Sequence, residues 1–282
     1  MHRSGVRPPS APPVGSPAPS GLPASMYKLF KRNHVPGAFE VQMAGACDPG
    51  RTRAHNEDAI GLEVGPDDGW YLAVVADGMG GHNAGEVASA LAISTITETI
   101  RERYGTADAA SVLTSAIDLA NRRIDELAET SPEAHGMGCT LALILGERDH
   151  VWIAHVGDSR VYRVGPKGIH QLTVDHTMVQ DMVQNGILTP EQAAAHPYRG
   201  RLSRCVGHGK NRALPDIRHL DLERGETLVL CSDGLSDVVP PDEIETLASH
   251  PDARAAARRL VDAANKAGGP DNISAIVVRR VV

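Results

Sequence analysis

Four aspartates in this chain stand where an apolar stretch ends or begins. Asp77 follows WYLAVVA, Asp158 follows HVWIAHV within VGDSR, Asp233 follows TLVL within LCSDGLSD, and Asp271 in GPDNIS precedes the closing apolar run. A strand end is where a rigid scaffold hands a side chain to a cleft. One Asp-Gly pair alone is an ordinary turn. Four acids, each abutting a buried-looking strand, would converge if those strands ended on the same side of a sheet. Gathered carboxylates repel one another unless cations neutralise them or they take up protons. Hard oxygen donors with no Cys/His set beside them select Mg²⁺ or Mn²⁺ over zinc. Glycine follows Asp77 and Asp233. It lets the backbone come close, so the carbonyl of Gly78 can itself be a ligand.

A fifth element, RTRAHNEDA (51–59), supplies a different chemistry. Arg53 offers a planar, permanently charged fork suited to bidentate phosphate binding. Glu57 and Asp58 are acids that could hold the waters of a bound cation. Taken alone, the stretch would pass as a polar turn before a strand.

The elements that must position these residues follow from periodicity. FEVQMAGAC (39–47) reads as a strand, and DAIGLEV (58–64) with WYLAVVA (70–76) as a hairpin turned at PDDG. Ala84, Val87, Ala88 and Leu91 fall at helical spacing, as do Leu113, Ala116, Ile117, Ala120, Ile124 and Leu127. Strands follow at 139–145, 150–156, 160–164 and 168–174. Residues 175–214 mix short helices with a Gly/Arg/His-rich loop, and Asp175 is placed like an N-cap. Strands return at 217–222 and 227–232, then helices near 241–249 and 252–267, then a strand at 273–282. This order lacks the regular alternation of a parallel sheet. It predicts an α+β fold in which antiparallel sheets pack on each other and helix pairs flank them.

Residues 1–25 are dense in Pro, Ser and Gly, and the reading is a disordered or extended tail. Residues 26–38 form a basic, partly apolar bridge, so the tail is taken as 1–38 and one catalytic domain as 39–282. Only 3% of residues are aromatic and the net charge is −7. Both argue against a surface that stacks or neutralises nucleic acid. The cysteines Cys47, Cys139, Cys205 and Cys231 form no CxxC pair, and they read as reduced, mostly buried thiols in a cytoplasmic protein. No apolar run is long enough to span a bilayer, and the N-terminus lacks the apolar core of a secretory signal. A monomer is expected.

The ordered set CDPGRTRAHNED, VADGMGGHNAGEVAS, GCTLALIL, HVGDSRVYR, LTVDHTMVQ, LCSDGL and GGPDNIS resembles the type 2C (PPM) family of metal-dependent protein phosphatases, in its bacterial branch. The resemblance runs from about Gly45 to Val278. It implies a β-sandwich flanked by helix pairs, in four α-β-β-α layers, with two Mn²⁺ or Mg²⁺ ions at one end and a third bound more weakly. Asp77 matches the family's bridging aspartate, and Gly78 the carbonyl donor. Asp233 and Asp271 match ligands of the second ion, and Asp158 a ligand of the third. Arg53 matches the phosphate-binding arginine, and Glu57 and Asp58 the pair that holds metal waters. The implied reaction is attack of a hydroxide lying between the ions on a phospho-Ser/Thr of a protein, opposing a Ser/Thr protein kinase.

There are departures. Met79 stands where many eukaryotic relatives carry a His proposed as general acid, and His82 reads as a polar lead into the next helix. The segment 196–213 falls where the family has a mobile flap, and the flap Ser of bacterial relatives falls near Gly200 to Ser203. This basic loop could attract phosphorylated segments, or could be a solvated loop without selectivity. Competing readings are a binding module on the same fold and a phosphatase of partner-switching factors. The complete acidic set with Arg53 argues against the first, and the intact RTRAHNED stretch against the second. A calcium-binding structural protein would need a DxDxDG loop, which is absent.

Overall fold

The computed structural model describes residues 27–29, 41–66, 69–80, 84–207 and 214–281. His82 and the end of the basic loop lie outside the described residues. Two antiparallel sheets form the centre. The first runs in the order β1 (Tyr27–Leu29), β2 (Val41–Asp48), β13 (Ile273–Arg280), β12 (Thr227–Cys231), β8 (Arg160–Gly165), β9 (Gly168–Gln171). The second runs β10 (Val206–Gly207), β5 (Gly138–Cys139), β4 (Tyr71–Met79), β6 (Leu141–Glu147), β7 (His150–Val156), β11 (Asp216–Asp221), with β3 (Asp58–Val64) on the other side of β4.

The strands read as continuous apolar runs because both of their faces are covered. Successive side chains of a strand point to opposite faces. On β4, Leu72, Val74 and Ala76 pack under α1 (Ala84–Arg103) and α2 (Ala109–Thr130). The alternate residues Tyr71, Ala73 and Val75 meet the other sheet. β13 does the same in mirror fashion. Ile276 and Val278 fill the space between the sheets, while Ala275 and Val277 pack under α6 (Pro241–Ala248) and α7 (Ala253–Lys266). The result is the predicted four layers of helices, sheet, sheet and helices.

The α1 stripe differs in detail from its expectation. Val87 is exposed, and the buried line is Ala84, Ala88, Ala92, Ile96 and Ile100. Alanines at every fourth position let the helix lie close to the hairpin beneath it, and Gly61 of β3 leaves room for the Ile93 side chain. Other departures are short elements. The run 139–145 breaks at Thr140, so that β5 and β6 pair with successive stretches of β4. A single helical turn, α5 (Asp233–Ser236), follows β12 directly. β1 pairs with β2, so the sheet takes in three residues upstream of Phe39. Among the described residues, no helix is long and apolar enough to cross a membrane.

Candidate active site

The site is built where β4 ends. Asp77 lies opposite Asp58 in the β3–β4 register. Its backbone is clamped by Thr140: the Asp77 amide donates to the Thr140 hydroxyl at 3.1 Å, and the Thr140 amide donates to the Asp77 carbonyl at 2.8 Å. The Thr140 hydroxyl is hydrogen-bonded in turn to that of Ser159, 2.7 Å away. The break between β5 and β6 therefore serves the site, because it aims Thr140 at the strand that carries the aspartate.

Gly78 comes next on β4. Its amide donates to the Glu57 carbonyl at 3.1 Å. A Cβ at this position would run into the Gly85 carbonyl oxygen and lie 2.6 Å from that of Glu57. Three backbone segments meet here, and only a residue without a side chain admits them.

Asp233 opens α5 straight after β12, and Asp271 immediately precedes Asn272 and β13. Asn272 holds the 49–57 loop against them. Its side-chain amide donates to the carbonyls of Pro49 at 3.0 Å and His55 at 2.8 Å, and its oxygen accepts from the Glu57 amide at 2.8 Å. That loop carries Arg53, whose Nη2 donates to Asp271 Oδ2 at 2.8 Å. We expect Asn272→Ala to destabilise the protein by about 2–3 kcal/mol, since it deletes three bonds to partly buried backbone groups. Its melting temperature should fall by roughly 4–10 °C. An unchanged melting curve would show that the loop is held by other means.

A pocket of about 490 Å³ gathers these residues. Arg53, Glu57, Asp77, Gly78, Asp158, Asp233 and Asp271 all line it. Asp58 alone of the predicted set lies behind the wall. It is 7% exposed, and its Oδ2 accepts from the Ser232 hydroxyl at 2.8 Å. The hydroxyls of Thr140, Ser159 and Ser232 and the amide of Asn272 are supporting residues that sequence reasoning did not single out. Their signal was adjacency: Ser232 and Asn272 each flank a predicted aspartate, and Ser159 follows Asp158.

The charge in this pocket is not balanced by the protein. Among the described residues, Glu57 Oε1, Asp58 Oδ1 and Asp233 Oδ1 are buried without a hydrogen-bond partner. Burial pushes the Asp77 carboxyl well above its usual range, and Asp58, Asp233, Asp158 and Asp271 add to the push. Burial likewise raises Asp158 to about 8, with Asp233 and Asp175 adding to it. Asp58 is raised to about 7 by burial, against the hydrogen bonds of Ser232 and Ser274. Asp233 rises to about 6 through burial and the charges of Asp237 and Asp271. Glu57 is raised by burial despite the pull of Arg53. Glu57 and Asp233, whose orphaned oxygens belong to residues of the pocket lining, fit a hard divalent cation, which would satisfy them and supply the missing charge.

A second pocket of about 260 Å³ shares Asp158 and Asp233 and reaches Arg160 and Asp175. Asp175 is not an N-cap. Thr177 caps α3 (Met178–Gln184), its side chain accepting from the Gln180 amide. Asp175 is instead held by Arg160, with Nε at 3.0 Å from Oδ1 and Nη2 at 2.6 Å from Oδ2. A paired arginine outweighs a local cap, because a charge-assisted fork is the stronger interaction.

The described part of the basic loop contributes to the same pocket. Gly200, Arg201 and Leu202 line it, and the Arg201 carbonyl and the Ser203 amide are bonded to Met178 and His176. Arg204 is tied to Asp216 at 2.9 Å. The thiols are all free. Cys139 and Cys231 are buried, and Cys47 accepts from Asn56 Nδ2 at 2.9 Å and from the Ser274 hydroxyl at 3.1 Å. Burial pushes the Cys47 thiol up to about 12, so it stays protonated and inert.

Known proteins resemble this chain over most of its length. The chain is 37% identical over 238 residues to the serine/threonine protein phosphatase PstP of Mycobacterium tuberculosis, an overlap that takes in 84% of this chain and 44% of that protein. The chain thus spans less than half the length of that relative. It is also 37% identical to the serine/threonine phosphatase stp of Listeria welshimeri, covering 83% of this chain and 93% of that one. The crystal structure of the PstP catalytic domain in complex with two manganese ions superposes with a TM-score of 0.76 at 33% identity, covering 87% of this chain and 100% of that chain. The model of the protein phosphatase 2C family matches residues 50–277, a span that holds the four strand-end aspartates and Arg53. The chain therefore belongs to the protein phosphatase 2C family.

Proposed function

We propose that this chain is a metal-dependent serine/threonine protein phosphatase, acting on phosphoproteins in the cytoplasm and opposing a Ser/Thr protein kinase. The observation that carries the reading is the convergence of Asp77, Asp158, Asp233 and Asp271 on one pocket, with buried carboxylate oxygens unpartnered and Arg53 at the rim. Asp77, Asp233, Asp271 and the Gly78 carbonyl would hold two Mn²⁺ or Mg²⁺ ions, and Asp158 would serve a third. When bound, such ions lower the pKa of a water and neutralise charge on the phosphoryl oxygens.

The chain's own residues do the rest. Arg53 orients the phosphate with its fork, exchanging part of its hold on Asp271 for the incoming anion. Glu57, in the pocket lining, would present acceptors to the waters around bound ions, and Asp58 would back Asp77 from behind the wall. Asn272 and Ser232 fix the loop and the acid that these roles need. The phosphate is selected by charge, and the described basic loop adds Arg201 at the pocket wall. No cysteine takes part, since the thiols are held protonated.

The test is hydrolysis of a phosphothreonine peptide by the full chain with Mn²⁺, Mg²⁺, Ca²⁺ or EDTA. Turnover with Mn²⁺ that vanishes in EDTA is expected, and turnover that survives EDTA refutes the reading. Replacing the fork gives a second check. Arg53→Ala should lower kcat/KM by about 10- to 150-fold, the equivalent of 1.5–3 kcal/mol for hydrogen bonds to a charged group. Arg53→Lys should recover little of it, because an ammonium cannot grip two oxygens in one plane. Kinetic constants untouched by both changes would remove Arg53 from the phosphate site.

A further inference from the structure

The far end of the second sheet carries a cluster that the phosphatase chemistry does not use. Among the described residues, β11 is an edge strand and pairs only with β7. In that register Asp221 faces His150 and His219 faces Trp152. Residues two apart on a strand share a face, and so do residues directly opposite. All four side chains therefore stand on one side of the two-stranded edge.

Their donor atoms already converge. His150 Nδ1 lies 2.8 Å from Asp221 Oδ1, and His219 Nε2 lies 3.9 Å from the same oxygen. One ligand atom from each of the three lies within 4.8 Å of the others. The two imidazoles are stacked, with centroids 5.7 Å apart and planes inclined by 29°. The Trp152 ring sits against His219 at 4.8 Å between centroids. All three ligand residues are exposed, so an ion from solvent can reach them and small rotamer changes can close the set.

From this geometry we propose that His150, His219 and Asp221 form a surface site for a borderline divalent transition metal such as Zn²⁺ or Ni²⁺. Two imidazoles and a carboxylate are a donor set for such ions, with the remaining positions open to water. The set differs in kind from the active site, where every donor is an oxygen. It is also remote from it. His150 begins β7, a strand of seven residues, and Asp158 lies just beyond its other end. At about 3.3 Å per residue, the two sites are separated by roughly 20 Å of strand. An ion here would tie the edge strand β11 to β7 at the end away from Asp216, the residue that anchors Arg204 of the basic loop.

Trp152 provides the readout. The chain has two tryptophans, and the other, Trp70, is 3% exposed in the core beneath α1 and α2. The full chain is first saturated with Mg²⁺ to fill the oxygen site, and then titrated with Ni²⁺. Saturable quenching of Trp152 fluorescence is expected with one equivalent bound at micromolar concentration. Zn²⁺, which does not quench, should restore the emission by displacing Ni²⁺. His150→Ala and His219→Ala should each weaken binding at least tenfold, and Asp221→Ala should weaken it as well. Phosphatase turnover in Mg²⁺ should stay within twofold of wild type in all three variants, which also shows that they fold. Wild-type protein without a saturable quench would overturn the site. So would a His150→Ala, His219→Ala double variant that binds Ni²⁺ as tightly as the parent.

Discussion

Asp77→Ala and Asp233→Asn should each lower Mn²⁺-dependent hydrolysis of a phosphothreonine peptide by at least about a thousandfold. The figure corresponds to roughly 4 kcal/mol of lost transition-state stabilisation, the scale of removing one preorganised electrostatic contact. Both residues line the pocket. Loss of activity alone would not separate a missing ligand from a broken fold, so the same variants carry a second expectation. In the metal-free protein burial and the repulsion of neighbouring acids work against the ionised form of both carboxyls. Deleting one relieves that repulsion. Metal-free Asp77→Ala should therefore melt at or above the temperature of metal-free wild type, while gaining less stability from added Mn²⁺. Activity lost together with stability would point to misfolding, and activity above a tenth of wild type in either variant would remove that residue from the metal site.

The aspartates were legible in the sequence for a physical reason. A strand covered on both faces is written as an unbroken apolar run, so an acid at its end is conspicuous. WYLAVVA before Asp77 and HVWIAHV before Asp158 are such runs, and their alternate residues do divide between two apolar layers. The packed antiparallel sheets with flanking helix pairs followed from the order of the elements, and the four layers from the family resemblance. Helix faces were less well specified. Val87 matched the α1 spacing yet faces solvent, because the contact with the hairpin selects small residues and the stripe runs through Ala84, Ala88 and Ala92 instead.

What the sequence concealed lies in pairings between distant segments. Asp175 satisfied the local rule for an N-cap, but Arg160 reaches it from the start of β8, and local rules carry no information about that. Thr140 looked like one more residue of an apolar run, although it interrupts the run to clamp Asp77. Asn272 joins loop residues more than two hundred positions away, through bonds that leave no periodic trace. The strand ends located the acids and the family resemblance gave them roles, whereas only the folded chain shows what holds them.

Stability of the metal-free protein should fall as pH rises from about 5 to 8, and added Mg²⁺ or Mn²⁺ should cancel most of that fall. The sign follows from the raised carboxyls. Asp58 is pushed up to about 7, Asp158 to about 8 and Asp233 to about 6, while an unfolded aspartate titrates near 3.9. Between these limits the folded state binds more protons than the unfolded state. Stability therefore decreases with rising pH across this window, and the full cost is present above pH 8. Each tenfold difference in proton affinity between folded and unfolded chain is worth about 1.4 kcal/mol, so the group together costs the metal-free fold several kcal/mol at pH 8. A bound cation replaces the protons and removes the cost. Metal at a hundred times its dissociation constant adds about 2.7 kcal/mol, which for a chain of this size raises the melting temperature by roughly 5–10 °C. Thermal melts in EDTA and in Mg²⁺ at pH 6 and pH 8 test this directly. The stabilisation by metal should be larger at pH 8, because at pH 6 protons compete for the same oxygens. In Asp77→Ala both the stabilisation and its pH dependence should shrink. Equal stabilisation at the two pH values would mean that the ions do not bind the raised carboxylates. The convergence of Asp58, Asp77, Asp158 and Asp233 would then be a strained feature of the fold without a cation to balance it.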